Sequence, residues 1–230
     1  MELYRYVSFE TFVDLVQSSS LCFVFPPVSW EDTHEGFLYH AIKTPEGKQK
    51  ILSLIPTQQN RLFAEAVLRD ETLNHTRFQC WTQAKDQVAL WSIYHSMNKA
   101  IMISSTSEKL EQLSFEEQKV TLMQLTYVNS ISLEDEVKFV IGQKIFAPDI
   151  FRTKRSAFEH EKEVRAFVGT TRVINPMNPL RVPIPNIQDF IEGVMVHPNA
   201  PSWYVAVVEE YCRINHIRFL GQSKLYIFEI

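Results

Sequence analysis

Apolar and polar positions along the chain predict short strands separated by amphipathic helices. An apolar run over residues 3–7 predicts a first strand, and Ser8 then caps a helix whose apolar positions from Phe9 to Val16 recur at i, i+3, i+4 and i+7. Further strands are predicted at residues 21–25, 78–82, 100–104, 120–128, 193–197, 218–220 and 224–230, and further helices within residues 48–70, 87–96 and 202–214.

Three segments give mixed signals. Ser114 and Glu117 fit a capping box, but the β-branched run that follows predicts a brief helix or none. Residues 136–146 fit either a helix or a strand, and the prolines within residues 176–185 predict a loop. Strands and helices are mixed without regular β-α-β alternation, and no repeat or linker interrupts them. The chain is therefore predicted to be a single α+β domain over residues 1–230.

Composition narrows the kind of nucleotide site that this chain can carry. It has six glycines, where average usage of about 7% would give roughly sixteen. Their spacing matches neither a phosphate-binding Walker loop nor a dinucleotide-binding G-x-G-x-x-G turn. Any nucleotide must therefore be held by side chains.

Charge and cysteine content predict the compartment. The net charge of −4 gives no global attraction to nucleic acid or to an anionic membrane. No apolar stretch is long enough to span a membrane and no signal peptide is recognisable, so a cytoplasmic protein is expected. Cys22, Cys80 and Cys212 are widely spaced in apolar sequence, which predicts buried free thiols in a reducing compartment.

Glu161, Glu163 and Arg165 are the first candidates for chemistry. On a strand within residues 158–168 they would share one face, with the two acids about 7 Å apart. Cleavage of a glycosidic bond needs a fixed carboxylate beside the anomeric carbon, and often a second acid for proton transfer. The same pattern also fits a surface strand whose acids are simply hydrated.

Arg5 and two acids that follow the first helix are further candidates. Arg5 lies in a strand predicted to be interior, so its guanidinium needs an anion, which is either a ligand's diphosphate or a carboxylate such as Glu163. Asp32 and Glu35 follow a Pro-Pro break. They are either site residues or side chains that hydrogen-bond within a turn.

Residues elsewhere in the chain suggest two other kinds of site, an aromatic surface for a flat ligand and a nuclease centre. Trp91, Ser92 and Tyr94 offer rings and hydroxyls near a cleft wall, although such rings more often belong to the core. Glu136 and Lys138 form an arrangement that a magnesium-dependent nuclease could use with another carboxylate. No histidine or cysteine spacing matches a metal site, so no metal is expected.

Five motifs follow one another along nearly the whole chain. They are Leu3-Tyr4-Arg5-Tyr6, Trp30-x-Asp32-x-x-Glu35, Cys80-Trp81-Thr82, Leu90-Trp91-Ser92-x-Tyr94 and Glu161-x-Glu163-x-Arg165. Together they resemble a mostly bacterial family that is catalogued as domain of unknown function twenty-nine seventy-one.

The order of these motifs is also similar to that of ADP-ribosyltransferases. This resemblance implies a mixed or antiparallel split sheet with flanking helices, and NAD as the substrate. It places Arg5 at the position on the first strand that orients NAD. Glu163 would hold a hydroxyl of the nicotinamide ribose and stabilise the oxocarbenium ion that forms there. Glu161 would orient or deprotonate a protein or nucleic-acid acceptor. The middle strand of these enzymes supplies a hydroxyl and an aromatic ring, and the candidates for these functions here are Thr82, Trp91, Ser92 and Tyr94. Nicotinamide would stack on Trp91 or Tyr94, and Arg165 would make a further contact to NAD.

The sequence thus favours an ADP-ribosyltransferase-like enzyme that cleaves the nicotinamide–ribose bond of NAD, in a toxin or phage-defence setting. Two alternatives stay open: a non-catalytic binding or regulatory module on a degenerate transferase-like fold, and the magnesium-dependent nuclease. The binding-module hypothesis predicts that Arg5 and Glu163 pair only with each other, with no cleft beside them. The transferase hypothesis predicts an open cleft that both residues line.

Overall fold

The computed structural model describes residues 1–25, 34–55, 75–93, 98–130, 132–142, 151–170, 175 and 178–227. The strands in these ranges are β1 (Glu2–Val7), β2 (Ser20–Phe23), β3 (Thr76–Thr82), β4 (Ile101–Thr106), β5 (Ser114–Phe115), β6 (Gln118–Lys119), β7 (Thr121–Gln124), β8 (Thr126–Val128), β9 (Thr153–Arg155), β10 (Glu163–Gly169), β11 (Leu180–Pro183), β12 (Gly193–Val196) and β13 (Phe219–Gln222). The helices are α1 (Phe9–Ser18), α2 (Phe37–Ile42), α3 (Pro45–Ser53), α4 (Val88–Ile93), α5 (Ser107–Glu111), α6 (Leu133–Gly142), α7 (Ile187–Phe190) and α8 (Ser202–Ile214), with a 3₁₀ helix at Ser156–Glu161.

Seven strands form one mixed sheet in the order β13-β12-β4-β1-β3-β10-β7. Neighbouring strands are antiparallel except β12 and β13, which run parallel. Helices flank the sheet, so the α+β class and the mixed sheet predicted from the sequence are confirmed. Across the described ranges, none of the helices has the length and apolar character needed to cross a membrane.

Strand β10 divides its side chains between two environments, as strict alternation predicts. Val164, Ala166 and Val168 are at most 1% exposed and pack in the main core, to which α1 and α8 also contribute. Glu163 and Arg165 occupy the alternate positions, and they are buried as well. The interpretation of this face as a hydrated surface is therefore wrong.

Strands β1 and β3 are neighbours in the sheet but share little register. Their described pairing consists of Tyr4 opposite Thr82, whereas β1 pairs with β4, and β3 with β10, along the whole strand. Val24, the residue after β2, forms a bridge with Phe78 on the same edge of β3 that β1 uses, because β10 occupies the other edge. The sheet is thus closed at one end of the β1–β3 boundary and opens at the other.

The structure corrects the predicted position of Glu161. This residue ends the 3₁₀ helix and does not share a strand with Glu163. Between them, Lys162 has a left-handed conformation with φ of 43°, which ends the helix and turns the chain into β10. The two carboxylates consequently approach each other from different elements and not along one strand face.

Other element predictions also differ from the structure. Residues 114–119 form the β5–β6 hairpin, which the capping-box pattern did not predict, and of the two outcomes expected there, a brief helix or none, the second is correct. Glu116 and Glu117 both have positive φ and make the turn. Part of the proline-rich segment is β11, which pairs with β2. Residues 224–227 form a turn and not a strand, and the predicted helix beyond residue 55 lies outside the described residues.

Candidate functional site

A cleft of about 1000 Å³ opens where β1 and β3 diverge. Its walls come from β1, the first half of α1, β2, β3 and the region of the 3₁₀ helix. This volume lies at the upper end of the range typical of small-molecule sites. Its polar lining includes Arg5, Glu35, Cys80, Thr82, Lys154, Glu161 and Glu163.

Five ionisable side chains meet at one wall of this cleft, and we call them the charge cluster: Glu35, Lys154, Glu161, Glu163 and Arg165. Their exposed fractions run from 0% for Arg165 to 8% for Glu161. Charged groups this deeply buried require partners, because desolvation of an isolated ion is very costly.

Lys154 holds the three carboxylates together. Its Nζ lies 2.8 Å from Oε1 of Glu35, 2.7 Å from Oε2 of Glu161 and 2.9 Å from Oε2 of Glu163. These acids come from three separate parts of the chain, so this one ammonium group joins the turn before α2, the 3₁₀ helix and β10.

Arg165 completes the cluster from behind the cleft wall. Its Nε donates to Oε1 of Glu163 at 2.7 Å, and its Nη2 donates to Oε2 of Glu35 at 2.9 Å. Its Nη1 donates to the backbone carbonyl of Phe151 at 2.6 Å. With every acid ionised, three carboxylates face two cations, which leaves one excess negative charge.

The pKa values of Glu163 and Glu35 are shifted in opposite directions. Burial alone would raise the pKa of Glu163, but Arg165 and Lys154 outweigh burial and lower that pKa to about 2. Burial raises the pKa of Glu35 above its ordinary value in spite of the same two cations. Glu163 is therefore a permanent carboxylate at neutral pH, whereas Glu35 is better suited to hold a proton.

Neighbouring groups fix the positions of the two acids that face the cleft. The Thr82 hydroxyl donates to the backbone carbonyl of Glu161 and accepts from the N–H of Ala84 at 2.9 Å. The Tyr127 hydroxyl accepts from the N–H of Glu163 at 2.7 Å. Burial, together with the neighbouring Glu163 carboxylate, raises the pKa of the Cys80 thiol well above its ordinary value.

Gly36 gives the turn that carries Glu35 into the cluster. Its φ is +67°, and a Cβ there would lie 2.9 Å from Cε1 of Phe151.

We expect Gly36→Ala to lower the free energy of unfolding by about 1–2 kcal/mol, because left-handed backbone is strained for a residue with a Cβ. Urea unfolding measures this. Gly169→Ala is the control, since a Cβ there meets no atom within 4 Å, and equal losses in both variants would contradict the expectation.

The structure brings some of the other predicted site residues to the cleft. Arg5 is half-buried and lines it from β1, and Thr82 lines it from β3. The two oxygens of Glu163 contact Arg165 and Lys154, so the suggested Arg5–Glu163 pair does not account for them. A cleft lined by Arg5 and Glu163 is what the transferase hypothesis predicts and the binding-module hypothesis does not.

Trp91 and Ser92 lie away from the cleft. Trp91 is 0% exposed, its indole N–H donates to Asp86 at 2.7 Å, and its ring meets the Tyr6 ring edge to face. The hydroxyl of Ser92 is on the exposed side of α4 and donates to its own helix. Trp91 is thus a core residue. Asp32 and Tyr94 lie outside the described residues.

The residues of the nuclease hypothesis do not converge. Glu136 is 7% exposed and burial raises its pKa, whereas the Lys138 side chain is 66% exposed and pairs with Glu134 on the surface of α6. Among the residues that the structure describes, no group of acidic, histidine or cysteine side chains could hold a metal ion.

Cysteine burial differs from the prediction. Cys212 is buried as expected, but Cys22 and Cys80 are only half-buried, and both line the cleft. The described cysteines are free thiols.

Lys154 and Tyr127 are the site residues that sequence reasoning missed. Each lies on a strand of three residues, which is too short to give a recognisable pattern. The available signal was indirect. If the predicted strand face that carries two acids and an arginine is buried and not hydrated, the acids require a second cation.

Comparison with known proteins identifies no relative. No family model, no curated protein and no solved structure matches this chain. The function proposed below therefore depends on the cleft and its residues.

Proposed function

We propose that this chain is an ADP-ribosyltransferase-like enzyme that cleaves the nicotinamide–ribose bond of NAD and passes ADP-ribose to a protein, a nucleic acid or water. One observation carries the proposal: Glu161 and Glu163 line the same cleft that Arg5 lines from the diverging strand β1. The likeness to domain of unknown function twenty-nine seventy-one and to the ADP-ribosyltransferases is part of this proposal.

The ionised state of Glu163 supports the chemistry. Departure of nicotinamide leaves positive charge on the ribose, and a fixed carboxylate in a buried setting stabilises that charge as it develops. The low pKa of Glu163, about 2, keeps this carboxylate ionised without assistance from a ligand. Lys154 and Arg165 position it, and Glu161, which shares Lys154 with it, is placed to orient an acceptor.

The cleft also has groups suited to the rest of NAD. The guanidinium of Arg5 fits a diphosphate, which it can bind with two parallel hydrogen bonds. The Phe158 ring lines the cleft beside Lys154, whose Nζ is 4.9 Å from the ring centre. Because Trp91 is in the core, we assign the stacking role for nicotinamide to Phe158.

The direct test is incubation of the purified chain with NAD while nicotinamide release is measured. A parallel incubation with nucleic acid and magnesium, followed for strand breaks, tests the nuclease hypothesis. We expect nicotinamide and no strand breaks. Absence of nicotinamide with and without cell extract as a source of acceptors would reject the proposal.

Arg5→Met is expected to raise the KM for NAD by about tenfold or more, because a hydrogen bond to a charged group contributes about 1.5–3 kcal/mol. The value of kcat should change less, since Arg5 would contact the diphosphate and not the ribose. Arg218→Met is the matched control, as Arg218 is exposed and lies outside the cleft. Equal KM values for the two variants would contradict the role of Arg5.

A second candidate function is a non-catalytic module that binds a nucleotide in this cleft, which differs from the binding module expected from the sequence because that module had no cleft beside Arg5 and Glu163. The observation in its favour is that Lys154 and Arg165 already neutralise most of the charge of the three acids. This alternative predicts that NAD binds, as measured by calorimetry, without being cleaved. The enzyme proposal predicts both binding and cleavage.

A further inference from the structure

Two cysteines of the cleft have no part in the proposed reaction. Cys22 on β2 and Cys80 on β3 are both half-buried, and both line the cleft. Cys80 faces Arg165 across the β3–β10 ladder, and Glu163 is the neighbouring residue on that face of β10. A covalent modification of Cys80 would therefore change the surroundings of the Glu163 carboxylate, on which the proposed function depends.

If the register of the bridge between Val24 and Phe78 is extended by two residues, it places these two cysteines opposite each other. Val24 and Phe78 exchange both backbone hydrogen bonds, at 2.9 and 2.8 Å, so they are an antiparallel pair. Cys22 lies two residues before Val24 and Cys80 two residues after Phe78, which puts both cysteines in the next pair on the same face. All four of these residues line the cleft.

The ladder between β2 and β3 is interrupted at this pair. The side-chain amide of Gln79 donates to the carbonyl of Cys22 at 3.0 Å, and the bridge between Val24 and Phe78 is isolated. Facing residues in a regular antiparallel ladder have Cα atoms about 4.5–5.5 Å apart, which lies within the range of about 4.4–6.8 Å that a disulfide spans. Completing this ladder would bring the two thiols within bonding reach.

We propose that Cys22 and Cys80 are a modification site: an oxidisable thiol pair that forms a reversible disulfide across the cleft beside Glu163. The inference goes beyond the proposed function, because it does not depend on NAD binding. The oxidant that we assign is a hydroperoxide. In the oxidised form, the disulfide lies beside Glu163 and occupies part of the cleft.

The chemistry balances in two steps. The sulfur of Cys22 attacks one peroxide oxygen, the O–O bond breaks, and the departing hydroxide takes the Cys22 proton as water, which leaves Cys22 as a sulfenic acid. The sulfur of Cys80 then attacks the sulfur of Cys22, the S–O bond breaks, and the departing hydroxide takes the Cys80 proton as a second water. Cys22 reacts first because burial and Glu163 keep Cys80 in its thiol form.

The test is disulfide mapping of the full chain. The reduced protein is treated with limited hydrogen peroxide, blocked with N-ethylmaleimide under denaturing conditions and digested without reduction for mass spectrometry. We expect a Cys22 peptide joined to a Cys80 peptide and two hydrogens lighter than their sum, in protein that runs as a monomer on a non-reducing gel. Dithiothreitol should restore both alkylated peptides.

Cys212 supplies the internal control, because it is buried in the core and away from the cleft. It should carry the alkylating label in every sample, and Cys212→Ser should still form the linked peptide, whereas Cys22→Ser and Cys80→Ser should not. Full alkylation of Cys22 and Cys80 after peroxide, or linkage through Cys212 or between chains, would overturn the proposal. The wild-type map decides the question even if a serine variant does not fold.

Discussion

Replacing Glu163 with glutamine is expected to slow nicotinamide release from NAD by about a hundredfold or more. Glutamine has nearly the same shape as glutamate but lacks the negative charge that stabilises the ribosyl cation. The wild-type carboxylate is 4% exposed and has a pKa of about 2, so it stays ionised in a setting that water screens weakly. The rate is measured at saturating NAD, because the loss should fall on kcat.

Glu159→Gln is the matched control for this experiment. Glu159 lies on the same 3₁₀ helix as Glu161 but is exposed to solvent, so its variant should release nicotinamide at the wild-type rate. Circular dichroism must show that Glu163→Gln is folded at the assay temperature, since Lys154 and Arg165 each lose a charged partner. A folded Glu163→Gln variant with wild-type kcat would show that Glu163 does not stabilise the transition state.

Local patterns in the sequence predicted much of the secondary structure around the site. Ser8 caps α1 as expected, and its hydroxyl accepts from the N–H of Thr11 at 3.1 Å. The alternation in β10 correctly separated the core positions from those of Glu163 and Arg165. These features depend on residues close together in the chain, and periodicity reports such features directly.

The sequence did not show whether the acidic face of β10 was hydrated or buried. That outcome depends on Glu35, which lies 130 residues from Arg165 in the chain, and on Lys154, which lies on a strand too short to recognise. Trp91 was ambiguous for a similar reason. Its indole N–H is satisfied by Asp86, and Ser223 donates to the same carboxylate at 2.6 Å from 137 residues away.

The second large effect is on stability. Lys154→Met is expected to lower the free energy of unfolding by about 3–5 kcal/mol at pH 7, because it leaves buried carboxylates with one cation fewer. Three acids lie within 3 Å of the Lys154 ammonium, at 2.7, 2.8 and 2.9 Å, and all of them stay buried in the variant. Urea unfolding measures the loss. Lys138→Met is the control, since that lysine is 66% exposed and its pair with Glu134 should contribute about 0.3–0.5 kcal/mol.

The pH dependence separates this electrostatic effect from a simple loss of packing. The folded-state pKa of Glu163 is depressed from 4.5 to about 2, so its contribution to stability is present above pH 4.5 and is lost as the pH falls towards 2. Lys154 acts at high pH. Burial would lower its pKa, but its carboxylate neighbours outweigh burial and raise the pKa above 10.5, so its contribution to stability is lost as the pH rises beyond that value.

The difference in unfolding free energy between wild type and Lys154→Met should therefore be largest between about pH 5 and 9 and shrink below pH 4.5, where protonation relieves the carboxylates that the variant leaves in excess. Burial raises the pKa of Glu35, so this group titrates first as the pH falls and begins the recovery above 4.5. A difference that stays constant from pH 7 to pH 3 would mean that Lys154 stabilises the fold through its hydrocarbon chain and not through its charge.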